Sequence, residues 1–168
     1  PLTPATRNRY LSTIRRMLSM CVEWGWMPAA PRLRPAVEPK VRIRWLTQDQ
    51  ARALVAACSR QWMQDAVAFA LATGMRAGEI LSLCWEDVDL SRSTAWVTAD
   101  RAKSGRARAV PLNAEAVQII RRRIGTHLQL VFTRNGAPQT QIDPKMFARA
   151  CAQAGIENFR FHDLRHTW

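Results

Sequence analysis

Two short stretches of the chain combine residue types that can bind an anion. In the first, Arg76 follows Gly74, a typical helix-ending residue, and we expect Arg76 to begin the next helix. A guanidinium at such a corner, beside unpaired backbone N–H groups, is well placed to hold an anion. In the second, His162 and Arg165 are three residues apart and share one face if the segment is helical. Two arginines and a histidine converging on one phosphate would form an electrostatic clamp for phosphoryl transfer.

Each stretch also has a plainer interpretation. Arg76 and Glu79 stand at i,i+3 spacing, which is common for ion pairs on the surface of a helix. The pattern His-x-x-Arg-His is short enough to arise by chance. Neither stretch alone therefore identifies a function.

A metal hydrolase is one alternative. His162 and His166 stand at i,i+4, and Asp163 takes the place of the glutamate in a zinc-binding HExxH helix. Against this reading, Arg165 lies between the two histidines and would repel a cation, and His127 is the only other imidazole in the sequence. We therefore expect no metal and no cofactor.

The charge of the chain favours an anionic polymer as its partner. The net charge is +12, with 25 basic and 13 acidic residues. Residues 1–46 contain nine basic and two acidic groups, and residues 101–168 contain twelve basic and four acidic groups. Between them, residues 47–100 contain four basic and seven acidic groups. Two basic blocks around a mildly acidic middle suggest separate binding faces, although an arginine-rich host proteome could also raise the total. No apolar run is long enough to span a membrane.

The first part of the chain differs in character from the rest. Apolar residues recur at helical spacing from Thr3 to about Trp26, which predicts one amphipathic helix. A single helix of this kind is unstable alone, so it resembles the end of a helical domain. Four prolines follow, and they predict an extended linker that leads into a basic segment containing Arg42 and Arg44.

The remainder predicts a mainly helical α+β fold. Thr47 and Gln50 form a capping box for a helix to about Cys58. Further helices are predicted at 61–73, 76–83, 113–124 and 143–155, and a last one from about His162. Asn113 and Asp143 are the predicted N-terminal caps of the third and fourth of these. Strands are predicted at 94–98 and 106–110 around a Lys103-Ser104-Gly105 tip, and at 130–133. The four cysteines are scattered, which indicates thiols in a reducing cytoplasm rather than disulfides or zinc ligands.

Together, and in this order, the motifs resemble the tyrosine recombinase (phage integrase) family. The resemblance runs through ATGMRAGEILSLCWEDVDL at 72–90, KSGRARAVPL at 103–112 and FHDLRHT at 161–167. It implies the catalytic-domain fold of that family over residues 46–168. It extends weakly to residues 1–27, as the remnant of a helical, SAM-like core-binding domain, with 28–45 as the linker.

The resemblance also implies roles for individual residues. Arg76 and Arg165 match the two arginines that bind the scissile phosphate, and His162 matches the histidine that assists them. Lys103 matches the hairpin lysine that acts as general acid toward the leaving 5′ oxygen, and Glu79 an acidic residue that supports the arginines. Only three of the 25 basic residues are lysines, and lysine, unlike arginine, can release a proton near neutral pH. Basic residues of the linker and hairpin are expected to contact DNA: Arg42, Arg44, Arg101, Arg106 and Arg108.

The family further requires a tyrosine nucleophile, which follows the HxxR motif. The single tyrosine here, Tyr10, precedes every other motif, so we assign no nucleophile within these residues and expect a truncated, inactive catalytic domain. The expected partner is double-stranded DNA, bound in the cytoplasm by a monomer, whereas complete family members assemble as tetramers. Two alternatives stay open: a catalytically silent DNA-binding remnant, and, less consistent with the hairpin, a eukaryotic-type topoisomerase.

Overall fold

The structure is a computed structural model that describes residues 1–39, 44–101 and 105–167. It divides into two compact units, Pro1–Arg42 and Ile43–Trp168. Lys103 and Arg42, which were expected to act in catalysis and DNA binding, lie outside the described residues. No helix in the described part of the chain is both long and apolar enough to cross a membrane.

The first unit is one long helix with a chain segment returning along it. Helix α1 spans Pro4–Glu23, close to the predicted range, with Thr3 as the cap of its first turn and proline at the first helical position. The segment after α1 has no regular secondary structure, but hydrogen bonds join it to the helix. The side chain of Asn8 accepts from the backbone N–H of Ala36 at 2.8 Å and donates to its carbonyl at 2.9 Å, and Arg15 donates to the carbonyl of Leu33.

The second unit is built around one buried helix. Six helices are described in this unit: α2 Gln48–Ala57, α3 Gln61–Thr73, α4 Ala77–Leu81, α5 Ala114–Arg123, α6 Pro144–Gln153 and α7 Leu164–Thr167. Ten of the thirteen residues of α3 are buried, because α2, α4, α5 and α7 all pack against this helix. The predicted capping box at Thr47 and the left-handed Gly74, with φ +63°, are confirmed at the ends of α2 and α3.

The main sheet is antiparallel, with strand order β1-β2-β3. Its strands are β1 Val88–Asp89, β2 Thr94–Val97 and β3 Arg108–Pro111. The predicted antiparallel pairing of the two strands is confirmed, but the second strand begins at Arg108 and not at Arg106. The register explains the difference. Ala95 pairs with Val110 and Val97 with Arg108, so the buried residues of β2 already have partners on β3 when the pairing starts at Arg108. Lys103 and Ser104 of the predicted tip lie outside the described residues. Strand β1 was not predicted.

A second, smaller hairpin replaces the strand predicted at 130–133. Leu130 forms only an isolated bridge with Cys84. The strands are β4 Thr133–Arg134 and β5 Ala137–Pro138, joined by Asn135 and Gly136, both with positive φ. The Asn-Gly pair is a strong signal for a tight hairpin turn, and it places the pairing three residues later than the apolar run suggested.

The chain reaches its last helix through a tighter turn. Residues Phe161–Asp163 form a 3₁₀ turn, and α7 begins only at Leu164, so the helix expected from His162 starts two residues later. Asp163 accepts from the backbone N–H of Arg160 at 2.9 Å and so caps this turn. The mainly helical α+β fold with a small antiparallel sheet is confirmed.

Candidate phosphate-binding site

The end of α3 places Arg76 at a sharp corner. Thr73 donates its hydroxyl to the carbonyl of Phe69 at 2.6 Å and accepts from the backbone N–H of Met75 at 3.3 Å. Gly74 then turns the chain in the left-handed conformation, and the Met75 side chain is buried. Arg76 follows in extended backbone, and α4 begins at Ala77, one residue after the predicted start.

Glu79 joins two arginines at this corner. Its carboxylate is almost fully buried, with 3% of the side chain exposed. Oε1 accepts from Nη1 of Arg76 at 2.9 Å, and Oε2 accepts from the backbone N–H of Arg76 at 2.9 Å. Oε2 also accepts from Nη2 of Arg108, at 2.6 Å, across 29 positions of sequence. The cluster contains two positive charges and one negative charge, so it keeps an excess positive charge.

The surroundings keep Glu79 ionised. Burial by itself raises the pKa of this carboxyl, but the backbone and side-chain hydrogen bonds from Arg76 and the charges of Arg108 and Arg76 oppose it. Their combined effect lowers the pKa of Glu79 below its ordinary value. A permanent carboxylate is therefore available to hold both guanidinium groups.

Arg165 lies on α7, which packs against α3, the same helix that ends at the Arg76 corner. The neighbouring Leu164 is fully buried and anchors the short helix. Nη1 of Arg165 is itself buried, yet it has no hydrogen-bond partner within residues 1–39, 44–101 and 105–167. A guanidinium stays charged at all ordinary pH values, so a buried donor of this kind calls for an acceptor.

The two histidines near Arg165 are exposed. The rings of His162 and His166 meet edge to face, with centroids 5.9 Å apart. In the described part of the chain, the one close group of three metal-ligand side chains is Cys84, Glu86 and Asp87, which includes neither histidine. Asp163, the residue required by the metal-hydrolase alternative, instead caps the 3₁₀ turn.

The other predicted DNA-contacting arginines occupy different environments. Arg106 is exposed and has no ion pair with any described residue. Arg44 is exposed and donates to the carbonyl of Glu157 at 2.7 Å. Arg101 is more enclosed: it forms an ion pair with Asp87, donates to the carbonyl of Ser82 at 3.2 Å and lies 3.8 Å from each of two further carboxylates, Glu86 and Asp100.

One buried ionic network was not anticipated from the sequence. Asp65 lies on the central helix α3 and is almost fully buried, and Nη1 of Arg123 lies 3.5 Å from its carboxylate. Arg123 also donates to the carbonyls of Val131 at 3.0 Å and Thr133 at 2.6 Å. The sequence did contain one indication of this network: an aspartate among the apolar residues of α3, because a buried charge needs a partner.

Comparisons with known proteins agree with this geometry. Residues 44–168 match the model of the phage integrase family. Over its whole length, the chain is 35% identical to the integrase of Salmonella phage P22, of which it spans 47%. It is 31% identical, over 99% of its length, to a shufflon-specific DNA recombinase of Escherichia coli, of which it spans 43%. The chain thus spans less than half the length of these two relatives.

Solved structures show the same fold. The Tn1549 transposon integrase, in complex with a circular intermediate DNA, superposes with a TM-score of 0.76 at 22% identity over 99% of the chain and 66% of that structure. A lambda integrase dimer bound to a COC′ core site gives a TM-score of 0.68 at 22% identity, over 98% of the chain and 71% of that structure. With the family match covering the whole second unit except its first residue, the chain belongs to the tyrosine recombinase, or phage integrase, family.

Proposed function

We propose that this chain is the phosphate-binding part of a site-specific recombinase that cuts and rejoins duplex DNA through a phosphotyrosine intermediate. Two relatives in sequence, named as an integrase of phage P22 and a shufflon-specific DNA recombinase, support this proposal. Two structural neighbours, the Tn1549 and lambda integrases, were solved in complex with DNA. The net charge of +12 suits such a partner. The place of action would be the cytoplasm of a bacterial or phage-infected cell.

The observation that carries the proposal is the buried Nη1 of Arg165, which has no hydrogen-bond partner among the residues that the structure describes. Leaving a buried N–H group of a guanidinium without an acceptor is costly, and a ligand that supplies the acceptor would remove this cost. A phosphate oxygen is a strong acceptor for a guanidinium and fits its planar fork of donors. The Arg76 cluster, with its excess positive charge, would supply a second group for the same anion.

The proposed roles of these residues follow from the chemistry of phosphoryl transfer. In the complete enzyme, a tyrosine oxygen attacks phosphorus, and the bond from phosphorus to the 5′ oxygen breaks. Arg76 and Arg165 stabilise the charge that develops on the non-bridging oxygens, at about 3 kcal/mol for each well-placed donor. His162 donates to the same phosphate, Lys103 gives its proton to the leaving 5′ oxygen, and Glu79 holds Arg76 in place.

Other basic residues would bind the DNA backbone. Arg42, Arg44 and Arg106 are the proposed phosphate contacts, and the exposure of Arg44 and Arg106 supports this role. The carboxylate partners of Arg101 and Arg108 support positioning roles for these two residues, alongside any contact with DNA.

We further propose that residues 1–27 are the end of a helical core-binding domain and that 28–45 join it to the catalytic domain. None of the residues of α1 is buried, which supports a helix whose apolar side is completed by other parts of such a domain. The complete family member would act as a tetramer, and the 168 residues by themselves would be monomeric.

The 168-residue polypeptide by itself should bind duplex DNA without cleaving it, because its one tyrosine, Tyr10, lies on α1 in the other unit. Incubation with a nicked suicide substrate should give no covalent adduct, and formation of an adduct would refute this part of the proposal. Binding measured by fluorescence anisotropy should weaken with salt, with a logarithmic slope of about −0.9 for each phosphate contacted. Salt-independent binding would contradict the electrostatic basis.

The alternative is a catalytically silent remnant of an integrase. The reading frame that follows the codon of Trp168 separates the two possibilities. A histidine or tryptophan and then a tyrosine a few dozen residues further on would indicate a recombinase, whereas an immediate stop codon would indicate a remnant.

A further inference from the structure

Arg108 is the least expected member of the Arg76 cluster. It is the first residue of β3, in the hairpin, whereas Glu79 is on α4, so the contact links two separate elements. The Nη2–Oε2 distance of 2.6 Å is short for a charged hydrogen bond, and the carboxylate that accepts it is buried. A surface arginine that contacts only DNA would not need such a partner.

The geometry points to Arg108 as a positioning residue that fixes the direction of the Arg76 guanidinium through the carboxylate of Glu79. This inference rests on the proposed phosphate-binding role of Arg76. It assigns to Arg108 a task different from direct contact with DNA, and it makes the base of the hairpin a support for the phosphate site.

The hydrogen-bond pattern explains how the influence passes from one arginine to the other. Oε2 of Glu79 receives both the Arg108 guanidinium and the backbone N–H of Arg76, which leaves Oε1 for Nη1 of Arg76. If Arg108 is removed, Oε2 keeps only the backbone N–H of Arg76, and the carboxylate is less restricted in rotating about its last bond. Arg76 then loses its fixed acceptor and samples other rotamers, since its side chain is one-third exposed.

The charge balance is consistent with this arrangement. Glu79 alone would neutralise Arg76, and a neutral pair attracts a phosphate weakly. With Arg108 as the second cation, the cluster keeps one excess positive charge although Arg76 is firmly held. Within the described residues, only Nη1 of the Arg76 guanidinium has a partner, so Nε and Nη2 stay available to a phosphate.

The test is the order of the Arg76 side chain, measured by NMR relaxation of its Nε–Hε group in the 168-residue chain without DNA. In Arg108→Met the order parameter should fall below about 0.6, as for a flexible group, and Arg108→Lys should restore part of it. Arg92→Met is the matched control, because it removes an exposed arginine–aspartate pair, Nε to Oδ2 at 3.7 Å, close to the same sheet. A loss of packing alone would lower the melting temperature without this selective effect on Arg76.

An unchanged Arg76 signal in folded Arg108→Met would overturn the inference. If that variant does not fold, the coupling is tested instead by following the Nε–Hε signals of Arg76 and Arg108 in the wild type during an acid titration. Glu79 contacts two charged groups in the described chain, Arg76 and Arg108, so the Nε–Hε signals of both should change at one shared midpoint. Independent midpoints, or a response of only one arginine, would contradict the coupling. Absence of DNA binding in a separate anisotropy experiment would refute the proposed function and leave this result intact.

Discussion

At the scale of single residues, the site depends on two buried groups with opposite requirements. The carboxylate of Glu79 is served by three N–H donors, two of them from arginine side chains. The Nη1 group of Arg165 has no described acceptor. The first group stabilises the free protein, whereas under the proposed function a phosphate completes the second. Both therefore lead to measurable effects on stability, with opposite signs.

Glu79→Gln should destabilise the protein in a pH-dependent way. Because the pKa of Glu79 is lowered on folding, its contribution is fully present above the ordinary value of 4.5 and is lost as the pH falls through the lowered value. At pH 7 the variant should lose about 1–2 kcal/mol of unfolding free energy, less than for a fully buried pair because both arginines are one-third exposed. Urea unfolding from pH 7 to pH 3 should show the two proteins converging in acid. A difference in unfolding free energy between the two proteins that stays the same at every pH would contradict this prediction.

Arg165→Met should stabilise the protein in the absence of DNA. Methionine keeps a similar apolar stem but removes a buried donor that has no described acceptor, which relieves about 1 kcal/mol of desolvation cost. The free energy of unfolding in urea is the measurement, and Arg149→Met, at an exposed position of α6, is the control. A clear loss of stability in Arg165→Met would show that the guanidinium has a structural partner.

At the scale of elements, α3 determines where Arg76 stands. This helix is packed by four others, and its C-terminal turn is fixed by the Thr73 hydroxyl and by left-handed Gly74. Such local features were readable from the sequence: the caps at Thr47, Asn113 and Asp143 and the stop at Gly74 all lie where they were predicted. Each depends on neighbours within four residues, so the chemistry of one short segment is sufficient to predict it.

Gly74→Ala should cost about 1–2 kcal/mol, because an alanine at φ +63° is strained by its Cβ atom. Gly78→Ala is the matched control: Gly78 lies in α4, where an added Cβ meets no atom within 4 Å, and alanine there should be neutral or slightly stabilising. Thermal unfolding of both variants checks the prediction. Equal effects would mean that the left-handed corner does not matter for stability.

The features that were missed depend on contacts between distant residues. The start of β3 is determined by its register with β2, and the Glu79–Arg108 pair crosses 29 positions. The partner of Asp65, Arg123, is 58 positions away. Hydrophobic periodicity does not contain such information, since it reports which face of an element is buried but not which element covers it.

At the scale of the whole molecule, charge and family membership both support the proposed partner, duplex DNA. The basic excess lies in residues 1–46 and 101–168, on either side of the acidic segment that contributes Glu79, Glu86 and Asp87. These carboxylates each bind or approach arginines, so part of the acidic segment organises basic residues instead of opposing them. The motif order identified the family from the sequence, whereas the pairing of these charges required the three-dimensional structure.

The most direct test of the central claim is an NMR measurement of the Arg165 guanidinium in the 168-residue chain, with and without saturating duplex DNA. A phosphate bound by this group should shift its side-chain N–H signals strongly and order them. Arg123 is the internal control, because its guanidinium is already bonded to the carbonyls of Val131 and Thr133 and should not respond. DNA that binds by anisotropy yet leaves the Arg165 signals unchanged would contradict the assignment of this residue to the phosphate site.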